Sequence, residues 1–276
     1  MATARVNGIE MYYEVHGPDG PAEPLALIMG LGANTTGWDH QIPELSREYL
    51  VIAFDNRGSG RTEKPKEPYT VPQMADDAVA LLDALGIGRA HVYGMSMGGM
   101  IAQEVALRHA ARVRTLVLGG TMAGGPNAVM AGPQRLQQWA STATLPLDRA
   151  VEAGLRFLYS PEFIAANREW LVRRNLETAH LMPPVDALQR QFMAVVQFNT
   201  YERLHQIAAP TLIITGTEDQ VVPAENARIL AERIPGAQLL ELAGAGHGFL
   251  VEKAAEANAA VLGFLRQYRA SSGSPK

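Results

Sequence analysis

The chain of 276 residues contains no cysteine. Disulfide bonds, thiol catalysis and thiolate metal sites are therefore excluded, which fits a reducing compartment. The chain also lacks a large excess of either charge, since its formal net charge is −4. A balance this close to neutral gives no reason to expect nucleic acid or an anionic membrane surface as a partner.

Long apolar runs are missing as well. Residues 1–8 lack the apolar stretch of a signal peptide, and no segment is long and apolar enough to span a bilayer. We therefore expect a cytoplasmic protein without a membrane partner. Hydrophobic residues at 47% and charged residues at 19% are typical of a soluble globular protein, which at this length can form one large α/β domain or two smaller ones.

Residues 90–106, AHVYGMSMGGMIAQEVA, are the stretch around which the chain is organised. The first residues suit a strand and those after Met97 suit a helix, so a Gly-x-Ser-x-Gly pattern falls in the turn between them. A turn this sharp forces Ser96 into a strained backbone conformation and lifts its side chain clear of the sheet. Neighbouring backbone comes too close for side chains at Gly94 and Gly98. The alternative is an inert serine, because the chain has 26 glycines.

Apolar strands alternate with helices as far as residue 120, which predicts a parallel sheet covered by helices on both faces. Asn7-Gly8 predicts a hairpin before them. Helices are predicted from Trp38 to Leu45 and, with Thr70 as its cap, through Leu85. A helix from Phe249 to about Tyr268 is expected to close the domain. The predicted apolar strands are Leu25–Met29, Leu50–Phe54, Val113–Leu118, Thr211–Thr215 and Gln238–Leu242.

The alternation is interrupted by residues 122–205, which hold several helical segments and no convincing apolar strand. We interpret this stretch as a helical insertion lying over the sheet. The expected organisation is therefore a core formed by residues 1–121 and 206–270, the insertion, and a disordered tail at residues 271–276. The predicted insertion helices are Gln134–Thr142, Leu147–Tyr159, Pro161–Arg173 and Pro184–Phe198.

Three polar residues follow predicted strands, at the end of the sheet where parallel α/β proteins bind ligands. Ser96 follows one strand, Asp219 follows residues 211–215, and His247 follows residues 238–242. Serine is a poor nucleophile without an imidazole base, and the imidazole needs a buried carboxylate to fix its tautomer. The order Ser, Asp, His along the chain is the one expected for a nucleophile on a strand-to-helix elbow.

Four runs, GMSMGG, GTEDQVVP, GAGHGF and DNRGSG, occur together in this sequence. With them the chain resembles the α/β-hydrolase fold over essentially its whole length. The resemblance implies a mostly parallel eight-stranded sheet flanked by helices, with residues 122–205 as a helical cap. It also implies that Ser96 is the nucleophile, that His247 is the base and later the acid, and that Asp219 orients the histidine.

The same resemblance implies an oxyanion hole made of two main-chain N–H groups. One belongs to Met97, directly after the nucleophile, and the other to Leu31, in the loop after residues 25–29. Many family members have His-Gly where this chain has Met29-Gly30. Because the donor is a main-chain group, the hole is expected to survive this difference, which instead bears on local hydrogen bonding and on the polarity of the acyl side of the pocket.

Other candidate residues have plainer interpretations. Glu218 is the nearest rival to Asp219, and the six other histidines lack the glycine-rich setting of His247. Asp55 and Arg57 are expected to brace the loop after their strand. Candidate substrate contacts, each with core packing as the alternative, are Met29, Trp38, Phe157 and Phe192.

The sequence thus predicts a serine hydrolase that cleaves small or medium carboxylic esters or lactones through an acyl-enzyme, with no metal or cofactor required. Within the family, the run SMGGMIAQE preceded by LLDALGI resembles 3-oxoadipate enol-lactonases and related esterases. Alternatives are a C–C bond hydrolase of a ring-fission product, a cofactor-free haloperoxidase or perhydrolase, and a non-enzymatic ligand receptor of the same fold. The oligomeric state stays open.

Overall fold

A computed structural model describes residues 2–142 and 144–269, so the predicted tail lies outside the described residues. Eight strands form one sheet: β1 (Ala2–Val6), β2 (Ile9–His16), β3 (Glu23–Ile28), β4 (Tyr49–Phe54), β5 (Ala90–Met95), β6 (Val113–Gly119), β7 (Thr211–Gly216) and β8 (Gln238–Leu242). Their spatial order is β1-β2-β4-β3-β5-β6-β7-β8.

The α-helices of the described residues are α1 (Ile42–Leu45), α2 (Val71–Ala84), α3 (Met97–Arg108), α4 (Pro133–Thr142), α5 (Leu147–Leu158), α6 (Pro161–Thr178), α7 (Val185–Gln197), α8 (Glu225–Arg233), α9 (Phe249–Glu252) and α10 (Ala254–Arg266). Thr70 caps α2 as its position predicts, because its side chain accepts the N–H of Gln73. Within residues 2–142 and 144–269, none of the helices has the length and apolarity needed to cross a membrane.

The sheet is mostly parallel, as predicted. Strands β3 to β8 pair in parallel, whereas β1 pairs with β2 and β2 with β4 in antiparallel fashion. The hairpin between β1 and β2 turns at Asn7 and Gly8, with φ of 45° and 82°. Positive φ at both positions matches the right-handed twist of the strands, which is why the Asn-Gly pair predicts the turn.

Both faces of the sheet are buried, which explains why its inner strands are apolar without alternation. Successive residues of a strand point to opposite faces. Val92 of β5 accordingly packs in the core beneath α2 and α3, while Tyr93 packs in a second core with Phe249 and Val261.

Helices α4 to α7 occupy the interval between β6 and β7, close to the predicted bounds. The last of them, α7, turns a narrow face inward. Its buried residues Ala187, Gln191 and Ala194 recur at helical spacing and lead to buried Phe198. The assignment of residues 122–205 to a separate cap domain stays a prediction.

Two predicted helices are wrong in detail. The segment from Phe249 to Tyr268 is two helices, because Lys253 leaves the helical region with φ of −126° and ψ of 36°. The segment from Trp38 to Leu45 is also broken and keeps only α1 as an α-helix. Pro43 lies in α1, and a proline cannot donate the N–H that a helix continuing from Asp39 requires.

Candidate active site

Ser96 lies at the sharp junction of β5 and α3. Its φ of 58° and ψ of −122° are sparsely populated for a residue with a side chain, as the turn predicts. Its N–H donates to the carbonyl of Gly119 at 2.8 Å, which fixes the turn to the end of β6. All other residues between 90 and 106 are buried, so Ser96 alone presents its side chain outward.

Close backbone approaches explain the glycines beside Ser96. A Cβ at Gly98 would overlap the carbonyl oxygen of Ile28 and lie 2.6 Å from its carbonyl carbon. A Cβ at Gly94 would overlap the carbonyl of Gly98 in the same way. Because backbone atoms cannot move aside as a flexible side chain can, the first turn of α3 can pack on the end of β3 only with glycine at these positions.

Asp219 and His247 form a buried pair at the ends of β7 and β8. Their Oδ2 and Nδ1 atoms are 2.7 Å apart, and each residue is 7% exposed. The other oxygen of Asp219 accepts the N–H groups of Val221 and Val222, both at 2.8 Å. An ionised carboxylate can only accept, so Nδ1 of His247 carries the proton and Nε2 is left as the basic nitrogen.

Ser96 and His247 both lie at the end of β6. The carbonyl of Gly119 accepts the Ser96 N–H, and a Cβ on the next residue, Gly120, would lie 3.3 Å from both Nδ1 and Cε1 of His247. Among the described residues, no hydrogen bond joins the Ser96 hydroxyl to the imidazole. Catalytic hydrogen bonds are often long before a substrate binds.

The loop that carries His247 is held from both sides. The Gly246 N–H donates to the Glu252 carboxylate at 2.9 Å, and the Gly248 N–H donates to the carbonyl of Leu158 at 2.6 Å. Glu252 also accepts a short hydrogen bond from the Ser160 hydroxyl. Glu252 is not among the candidates that the sequence offers; the break after α9 places it beneath this loop.

The two N–H groups predicted to form the oxyanion hole are free to bind a ligand atom. Within the described part of the chain, neither the N–H of Leu31 nor that of Met97 has a protein acceptor. Their loops are in direct contact, because a Cβ at Gly30 would lie 2.9 Å from Cβ and 3.4 Å from Oγ of Ser96. Two unpaired donors on loops that contact the Ser96 side chain suit the stabilisation of a developing oxyanion.

Asp55 and Arg57 brace the neighbouring loop, as predicted. The Asp55 carboxylate accepts the N–H groups of Thr35 and Arg61, each at 2.7 Å. Burial raises the pKa of this carboxyl, and the two N–H donors act against that increase. Arg57 forms a two-point ion pair with buried Asp77, at 2.7 and 2.8 Å.

Met29 and Trp38 lie in the core. The Met29 side chain packs against Gly37, and its carbonyl accepts the Asn56 amide at 2.7 Å. The Trp38 ring is fully buried with its centroid 4.9 Å from that of Tyr93, whose pKa burial raises. At the position where family members often have His-Gly, this chain therefore has an apolar side chain turned into the interior.

The two candidate substrate contacts in the helical interval differ in burial. Phe157 on α5 is buried, whereas Phe192 on α7 is 52% exposed. Gln191, the residue before Phe192, is not among those candidates, yet it is fully buried and reaches the loop of Leu31. A polar residue on the buried face of an amphipathic helix was the available signal.

Comparison with known proteins relates the chain to hydrolases. A model of the alpha/beta hydrolase fold family matches residues 23–254. A protein of Caulobacter sp. (strain K31) named "Putative carbamate hydrolase RutD" is 34% identical, with 96% of this chain and 98% of that protein covered.

Solved structures agree in fold. The enol-lactonase from Burkholderia xenovorans LB400 has a TM-score of 0.84 at 29% identity and covers 96% of this chain and 100% of its own. The meta-cleavage product hydrolase CumD from Pseudomonas fluorescens IP01, solved as a mutant complexed with acetates, has a TM-score of 0.84 at 27% identity, with 98% of both chains covered.

Proposed function

The chain belongs to the α/β hydrolase fold family, and from that premise we propose that it is a serine hydrolase that cleaves small or medium carboxylic esters or lactones through an acyl-enzyme. The observation that carries this proposal is the position of Ser96. It is the one accessible residue of a buried strand-to-helix junction, and the His247–Asp219 pair and two free main-chain donors lie beside it.

In the first half of the reaction, Ser96 Oγ attacks the carbonyl carbon while Nε2 of His247 takes its proton. Asp219 stabilises the imidazolium through the bond to Nδ1. The N–H groups of Leu31 and Met97 donate to the oxyanion of the tetrahedral intermediate. The imidazolium then protonates the leaving alcohol oxygen, which departs and leaves the acyl group on Ser96.

In the second half, a water molecule replaces the alcohol. Nε2 of His247 takes a proton from this water, whose oxygen attacks the acyl carbon. The second tetrahedral intermediate uses the same two donors. Its collapse returns the proton to Ser96 Oγ and releases the carboxylic acid, so no cofactor or metal takes part in the proposed cycle.

Two further substrates are supported by specific relatives. The Caulobacter protein carries the name of a carbamate hydrolase, and a carbamate carbonyl can be attacked by the same serine. The meta-cleavage product hydrolase supports C–C cleavage less strongly, at 27% identity. The ester or lactone proposal keeps precedence over C–C cleavage because the enol-lactonase has an equal TM-score and slightly higher identity than the meta-cleavage product hydrolase. Substrate contacts by Met29, Trp38, Phe157 and Phe192 stay predictions, as does the cap role of residues 122–205.

The test compares wild-type protein with Ser96→Ala on four substrates: p-nitrophenyl esters of increasing acyl length, an enol-lactone, an aryl carbamate and a ring-fission diketone. We expect an initial burst of p-nitrophenol from the ester, with activity abolished in Ser96→Ala. Circular dichroism checks that the variant is folded.

Each result has a separate consequence. Turnover of the carbamate alone, or of the diketone alone, would replace the proposed substrate but keep the site. Full activity in Ser96→Ala would refute the nucleophile. Binding of all four compounds without turnover would favour a ligand receptor.

A further inference from the structure

Gln191 connects α7 to the loop that carries Leu31. Its side chain is fully buried, and both the oxygen and the nitrogen of its amide form hydrogen bonds with loops of the sheet domain. We propose that Gln191 is a positioning residue that holds the Leu31 N–H in place for the oxyanion and makes this donor depend on the seating of α7. The inference deepens the proposed function and rests on it.

The amide of Gln191 makes three hydrogen bonds to two loops. Its Oε1 accepts the Gly32 N–H at 2.9 Å, while Nε2 donates to the Arg57 carbonyl at 2.7 Å and to the Ser59 hydroxyl at 2.9 Å. A main-chain N–H can only donate and a carbonyl can only accept. The orientation of the amide is therefore determined by its partners.

Gly32 belongs to a tight turn that contains the proposed donor. The Ala33 N–H bonds to the Gly30 carbonyl at 3.2 Å, and that carbonyl lies in the same peptide unit as the Leu31 N–H. Gly32 has φ of +67°, as the third residue of a type II turn requires. By holding the Gly32 N–H, Gln191 fixes the peptide between Leu31 and Gly32, which is the unit that rotates between the two turn forms, and so holds the turn that carries the Leu31 N–H.

The contact also ties this turn to α7. A Cβ at Gly32 would lie 2.8 Å from Cδ1 of Leu188, one turn before Gln191. The opposite side of α7 is open to solvent, with Phe192, Met193 and Val196 each at least half exposed. The helix is thus anchored on its inner side by Gln191, and displacement of α7 would release the Gly32 N–H.

The first experiment replaces the amide with an apolar side chain of similar length. In Gln191→Met, we expect kcat on the best ester to fall about 10- to 100-fold with KM changed less than about 3-fold, because displacement of a reacting group by ~1 Å can cost about 10² in rate. Affinity for a trifluoromethyl ketone, which forms a tetrahedral adduct, should fall by the same factor. The matched control is Gln189→Met, an exposed glutamine on the same helix, which should leave all values unchanged.

The second experiment uses the pH dependence of Gln191→Glu. A neutral carboxyl can accept from Gly32 and donate to the Arg57 carbonyl, whereas an ionised carboxylate can only accept. The ratio of variant to wild-type kcat should therefore rise at least ~10-fold as the pH falls from about 8 to 5. Because the new carboxyl is buried, its neutral form persists to higher pH than in water. A residue that merely stabilises the fold would not produce this rise at a temperature where both proteins are folded.

The outcomes separate this inference from the proposed function. Wild-type protein without turnover, or an active Ser96→Ala, would refute the proposed function and this inference with it. If wild-type protein is active and Gln191→Met keeps the wild-type kcat, the inference alone would be refuted. A change in Gln191→Met confined to KM would refute it in the same way. If Gln191→Met does not fold, the Gln191→Glu ratio decides, and a ratio independent of pH would overturn the inference.

Discussion

Replacing Asp219 with asparagine tests the proposed mechanism at its buried pair. One oxygen of Asp219 accepts the N–H groups of Val221 and Val222, so an asparagine would place its own oxygen there. Its NH₂ group would then face Nδ1 of His247, where the carboxylate oxygen now lies at 2.7 Å. Two donors cannot share this bond, so Nδ1 would lose its proton and Nε2 would carry one instead.

A histidine protonated at Nε2 cannot accept the proton of Ser96. In Ser-His-Asp enzymes, the same change of Asp to Asn lowers kcat by about 10⁴, which corresponds to about 5 kcal/mol of transition-state stabilisation. We expect a decrease of that order here, because the pair is buried and water cannot replace the carboxylate. The fold should be preserved, since asparagine has nearly the volume of aspartate and keeps the oxygen that binds the two main-chain N–H groups.

The assay is steady-state hydrolysis of the best p-nitrophenyl ester, with thermal unfolding measured on the same samples. Glu218→Gln is the matched control, because Glu218 precedes Asp219 and is exposed. We expect that control to keep wild-type kcat. If Asp219→Asn kept more than about a tenth of wild-type kcat, the orienting role would be refuted. A large loss in Glu218→Gln would assign that role to the neighbouring carboxylate.

Two more predictions concern the backbone near Ser96. Ser96→Gly should be more stable than Ser96→Ala by about 1 kcal/mol in chemical denaturation, because glycine relieves about 1–3 kcal/mol of strain but adds about 0.5–1 kcal/mol of unfolded-state entropy; equal stability would show that φ of 58° is not strained. Gly98→Ala should lose several kcal/mol of unfolding free energy or fail to fold, since its Cβ would overlap the Ile28 carbonyl. The control is Gly263→Ala inside α10, where the added Cβ meets nothing within 4 Å, and it should gain about 0.5–1 kcal/mol of unfolding free energy. A fully stable Gly98→Ala would contradict the packing of α3 on β3.

Local pattern predicts much of the fold. Buried strands are short apolar runs and the hairpin needs positive φ, so β7, predicted at residues 211–215 and buried throughout, and the turn at Asn7 and Gly8 follow from neighbouring residues alone. The elbow is local too, because close backbone approach on both sides of Ser96 requires glycine. Local pattern failed at Lys253, where the helical spacing continues although the backbone leaves the helical region.

The elbow could be predicted from residues a few positions apart, and the parallel sheet from the alternation of apolar strands and helices along the chain. Ser96, Asp219 and His247 are candidates from their positions after strands and from the resemblance to a family, and their roles stay predictions. The support of these candidates became visible only in the folded chain. Gln191 binds Gly32 across 159 positions, and Glu252 binds Ser160 across 92. Hydrogen bonds between residues so far apart leave no periodic trace in the sequence. Each partner's residue type suits its own helix or loop whether or not the other partner is present. Their pairing exists only after the sheet has brought the two segments together.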